Sequence, residues 1–84
     1  MKLNHVNLAI LHFATTQHNL GETIKFSKLR HLLEQHHIRC YKSNRAMARA
    51  VSSAYRKLRR ANRHHDAFII KECVRNKWNK KAYL

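Results

Sequence analysis

The stretch from Ser43 to Arg63, SNRAMARAVSSAYRKLRRANR, separates into two faces when read as a helix. Met47, Val51, Ala54, Leu58 and Ala61 recur at spacings of four, three, four and three, the period of a buried stripe, with Ala50 and Tyr55 beside it. Arg45, Arg49, Ser52, Arg56, Arg60 and Arg63 recur in the same rhythm. At about 100° per residue this second row falls roughly opposite the first. Ser43 or Asn44 suits the start, since a short side-chain oxygen accepts from the open amides of a first turn.

No Gly, Pro or acidic residue interrupts this stretch. An ordinary solvated face mixes Glu with Lys or Arg, because opposite charges four apart stabilise a helix by roughly 0.2–0.5 kcal/mol and like charges cost a similar amount. Arg45 with Arg49, Arg56 with Arg60, and Arg59 with Arg63 are all like pairs. A row that repels itself in this way points to an anion laid against it. The whole chain agrees: 84 residues carry a formal net charge of +14, from eighteen Lys and Arg against four acids. That balance implies nucleic acid, an anionic membrane or an acidic protein as partner.

Outward from this stretch, the chain reads as one mainly α domain over residues 1–84. It has no proline, one glycine (Gly21) and an ordinary apolar content of 44%, which favours helices with short connections over a turn-rich β fold. A first helix spans residues 3–18, with Leu3, Val6, Ile10 and Phe13 on one face and Leu8, Ala9, Leu11 and Ala14 widening it. Asn19 to Gly21 ends it. Thr23–Phe26 is a short β-prone piece with Ile24 and Phe26 on one side and Lys25 on the other. Ser27 then caps a second helix from Lys28 to His37, buried through Leu29, Leu32 and Leu33, with Arg30 among the residues pointing away. Residues 38–42 connect to the arginine-rich helix. Asp66 caps a further helix to about Asn76, and Lys80–Leu84 is a candidate strand that pairs with Thr23–Phe26 as a minor two- or three-stranded element. Leu8–Leu11 is the longest apolar run in the first segment, too short for a signal core or a membrane span. A cytoplasmic chain with Cys40 and Cys73 reduced and buried is expected.

The order helix, short strand, helix, brief connection, basic helix and basic tail resembles the winged helix-turn-helix DNA-binding proteins. A helix-turn-helix variant with a fourth helix fits the same order. In that family the third helix enters the major groove. Carried onto this chain, the resemblance assigns Asn44, Arg45 and Arg49 to base edges, where Asn pairs with adenine and Arg with guanine. It sets Lys28, Lys42, Arg56, Lys57, Arg60, Arg63, Lys77, Lys80 and Lys81 against phosphates, with Lys25 flanking them.

Other chemistries fit less well. His36, His37 and Cys40, and separately His64, His65 and Asp66, are close in sequence. No Cys-x2-Cys pair exists and nothing supplies the second half of a zinc site, so no metal or cofactor is expected. Phosphodiester hydrolysis calls for clustered carboxylates or a positioned His base, and Glu22, Glu34, Asp66 and Glu72 are scattered, so the chain does not read as an enzyme. Tyr41, Tyr55, Trp78 and Tyr83 offer faces for unpaired bases, which keeps RNA in view. The apolar segments give the basic helix a core to pack on, so a membrane partner is not expected. The resulting expectation is a small regulator or architectural protein of a compact genome, such as a phage, plasmid or bacterium. It binds duplex DNA in preference to RNA, as a monomer or homodimer. The reading from a different class is a non-catalytic inhibitor or adaptor docking on an acidic protein.

Overall fold

Each helix is set by a stripe it must bury and by the way its ends satisfy open backbone groups. The computed structural model describes residues 2–75. They form α1 (His5–Asn19), β1 (Ile24–Lys25), α2 (Phe26–Gln35), α3 (Asn44–Arg60), α4 (His64–Cys73) and β2 (Val74–Arg75). The architecture is mainly helical with one two-stranded sheet. The strand expected at Lys80–Leu84, and Lys77, Trp78, Lys80, Lys81 and Tyr83, lie outside the described residues.

Asn4 opens α1 with a reciprocal capping box: its Oδ1 accepts from the Asn7 amide at 2.9 Å, and the Asn7 Oδ1 accepts from the Asn4 amide at 3.0 Å. Ser43 caps α3 as the sequence suggests, its hydroxyl accepting from the Ala46 amide at 3.1 Å. The C-terminal ends share one device. After α1, α2 and α3 the chain turns through Gly21 (φ 73°), His37 (φ 56°) and Asn62 (φ 59°). In each case the next amide reaches back five residues: Glu22 to the Gln17 carbonyl, Ile38 to Leu33, Arg63 to Leu58. Three helices therefore stop by the same Schellman closure, although only one of them has glycine for it.

These closures and the packing shift several boundaries from the sequence reading. α2 begins at Phe26 rather than Lys28, with Lys25 at the cap and Ser27 inside the first turn. Phe26 is buried and falls on the helical face of Leu29 and Leu33, which draws the start back. The left-handed turn at His37 ends α2 at Gln35. The one at Asn62 ends α3 at Arg60, so Ala61 is an exposed cap residue and not core. Arg63 caps α4, leaving Asp66 in its first turn, where a carboxylate suits the helix dipole.

α4 ends at Cys73 rather than near Asn76, and Val74 and Arg75 pair in parallel with Ile24 and Lys25. The partner of the β-prone piece is thus this short extension of α4. Ile24 and Val74, both fully or nearly fully buried, hold it to the core.

The core is continuous. Met47, Val51, Ala54 and Leu58 of α3 are wholly buried against Val6, Ile10, Leu11 and Ala14 of α1, Leu29 and Leu33 of α2, and Ala67, Ile70 and Cys73 of α4. Cys73 is buried as expected, and its thiol donates to the Glu22 carbonyl at 3.3 Å. Cys40 is exposed instead, because residues 36–43 run over the surface.

Leu58→Ala should destabilise the fold by about 2–5 kcal/mol through lost burial and a residual cavity, measured by urea unfolding; an unchanged midpoint would refute the burial of this stripe. His37→Gly should have the opposite sign. It relieves a left-handed backbone that costs roughly 1–2 kcal/mol in a residue with a Cβ, less the extra entropy of glycine when unfolded, for a net gain of about 0.5–1 kcal/mol in the same titration.

Candidate nucleic-acid interface

α3 is 17 residues long. At 1.5 Å per residue it extends about 25 Å, matching the width of a body measuring 29 × 25 × 23 Å. With Met47, Val51, Ala54 and Leu58 facing inward, the helical period turns Arg45, Arg49, Arg56 and Arg60 outward, and all four are exposed. Ser52 falls between them and is half-buried. The last turn also carries Lys57 and Arg59, where cations favour the helix C-terminus. Arg45 sits at the other end, where the dipole is positive and no acidic residue of the first turn offsets it. Helix stability explains the C-terminal cations and does not explain Arg45.

Several expected contacts are engaged within the fold. Arg30 does not point away: it is half-buried, its Nε donating to the Tyr41 carbonyl at 2.9 Å and its Nη1 to the Asn44 Oδ1 at 3.0 Å. This guanidinium ties α2 to the 36–43 connection and to the first residue of α3. It also occupies the Asn44 oxygen, so a bidentate pairing of Asn44 with adenine requires that bond to open. Lys57 is half-buried and turns toward α1, its Nζ 3.4 Å from the Asn7 Oδ1. Arg63 pairs with Asp66 at 2.8 Å. Lys28 and Lys42 are exposed, on α2 and just before α3, as is Lys25.

The described residues therefore bring Arg45, Arg49, Arg56 and Arg60 into one outward row, with Lys42 leading into it. They draw Asn44, Lys57 and Arg63 into internal hydrogen bonds. The part played by Arg30 escapes a sequence reading, since its two acceptors lie eleven and fourteen residues away across a loop. Arg59, one of the like-charged pairs, also has a partner that spacing does not show: its guanidinium carbon lies 5.9 Å from the centre of the Tyr55 ring, and its Nη1 is 3.4 Å from the hydroxyl.

No wing hairpin occurs among the described residues; α4 follows α3 directly, and the only pairing there is the parallel β1–β2 contact. No group of three or more His, Cys, Asp or Glu among them is placed to hold a metal ion. Burial pushes the Cys73 thiol above its ordinary value, against smaller lowering effects from the Ile24 backbone and Arg75, which keeps it protonated and a poor nucleophile near neutral pH. No helix among the described residues is long and apolar enough to cross a membrane. Compared with known proteins, the chain matches no family model, no curated protein and no solved structure.

The two kinds of arginine should separate in thermal unfolding. Arg30→Ala removes two charge-assisted bonds from a half-buried bridge and should cost about 1–3 kcal/mol. Arg56→Ala removes an exposed charge from a self-repelling row and should stay within about 0.5 kcal/mol of the parent. Equal losses in the two variants would contradict the division.

Proposed function

We propose that this chain binds duplex nucleic acid, DNA in preference to RNA, by docking the outer face of α3 in the major groove. The observation that carries the reading is the exposed series Arg45, Arg49, Arg56 and Arg60 on a helix with no acidic residue, backed by a formal net charge of +14. An α-helix fits the major groove of B-form DNA, whereas the deep, narrow major groove of A-form RNA excludes it. With α3 docked by its N-terminal end, Arg45 and Arg49 reach base edges, Arg56 and Arg60 meet phosphates as the helix leaves the groove, and Lys42 and Lys28 flank it. Regulation of transcription, or an architectural role on DNA, follows from that docking. An acidic protein is the competing partner class, since the same row would attract it.

Salt dependence tests the electrostatic half. Four to six phosphate contacts should make log affinity for a short duplex fall with log salt at a slope of about −0.9 per contact, and a flat line would remove nucleic acid from the account. Paired substitutions test the readout. Arg49→Ala should cost about 1–3 kcal/mol on a duplex selected from a random pool and far less on random duplex, while Arg60→Ala should weaken both by a similar factor. Were both variants to lose specific and random binding alike, α3 would be a phosphate rail, as in an architectural or RNA-coating protein, and the regulator reading would fall.

A further inference from the structure

One flank of the basic row opens into a groove that the row itself does not explain. Tyr55 and Arg59, one turn apart on α3, form one wall; His64, Ala67, Phe68 and Lys71, at helical spacings of three, one and three, form the other on α4. The space is about 210 Å³, below the roughly 300–1,000 Å³ of pockets that enclose drug-sized ligands. It suits a single planar ring system. Phe68 is the anomaly in it. Its neighbours Ala67, Ile69 and Ile70 are buried in the core, yet Phe68 is 50% exposed. A half-exposed aromatic ring, a tyrosine already stacked by an arginine, and cations on both walls make a mixed π and cationic surface.

We propose that this groove takes an unpaired base of the nucleic acid held by α3, stacked on Phe68 beside Tyr55, with Arg59 and Lys71 toward its flanking phosphates. The inference rests on the phosphate-binding reading of the row. Helical phase puts Arg59 next to Ser52 and Arg56 on the outer surface of α3, so a strand lying along the row passes the mouth of the groove. Every base has a π-face, and single-strand binders combine such rings with cations that follow the backbone. A second copy of this chain is a poorer occupant. A two-fold contact through this face would place two copies each of Arg59 and Lys71 in an interface whose groove lining holds no acidic residue. An acidic peptide would suit the positive charge of the walls but leave the exposed ring of Phe68 unexplained.

The test compares a short blunt duplex with the same duplex carrying a single-stranded overhang that contains a fluorescent adenine analogue. The parent protein should bind the overhang duplex more tightly and quench the analogue. Phe68→Ala should lose about tenfold on the overhang duplex, lose the quenching, and leave blunt-duplex affinity and its salt slope unchanged. Phe68→Leu, which keeps the buried half of the site filled without a ring, should behave like Phe68→Ala, and Phe68→Trp should retain both signals. Equal parental affinity for the two duplexes with a steep salt slope would overturn the groove and leave the row intact. Failure to bind either duplex at low salt would remove both. Loss of blunt-duplex binding in Phe68→Leu, or a parental dimer that becomes monomeric in it, would also overturn the proposal.

Discussion

The fold depends on burying one side of a helix whose other side is almost all arginine. Met47, Val51, Ala54 and Leu58 are wholly inaccessible, and every other helix supplies part of the surface that covers them. Four side chains of this size contribute several kcal/mol by area removed from water, enough to outweigh like-charge pairs that cost a few tenths each. That inequality lets a self-repelling face exist at all. It also fixes the rotation of α3: once the stripe is seated, Arg45, Arg49, Arg56 and Arg60 have nowhere to go but outward.

Because the stripe sets the phase, much of the candidate interface was readable from residues 43–63. Periodicity alone separates Met47 from Arg49, and the hydroxyl of Ser43 marks the start of α3. The end is harder to read because the pattern persists past Arg60, while the helix closes at Ala61 with a left-handed turn at Asn62. Asparagine tolerates that turn, but Ala61 in phase with the stripe extends the helical pattern beyond it. His37 is a weaker signal of the same kind, and the expected end of α2 at His37 overshoots the observed Gln35 by one half-turn.

What periodicity does not reach is the pairing of polar groups across the chain. The position of Arg30 on α2 points it to solvent, yet it braces the connection to α3. The resemblance sets Lys57 against phosphate, yet its Nζ turns to the Asn7 Oδ1 on α1. In each case a hydrogen bond to a distant element decides the orientation, and spacing along one helix holds no record of it. The β1–β2 pair belongs to the same class. Thr23–Phe26 looks strand-like, but its partner at Val74 and Arg75 follows so closely on α4 that local pattern reads it as helix.

That small sheet has a kinetic consequence. Ile24 and Val74 stand about fifty residues apart, so joining them closes most of the described chain into a loop, at an entropic cost on the order of 3–4 kcal/mol. A two-residue ladder contributes too little to offset this alone. The helices between form locally and quickly, and their packing must bring the two segments within reach before the ladder can exist. The strand pair is therefore the latch of the domain, able to close only once the helices between have packed, and it stays shut through the burial of Ile24 and Val74.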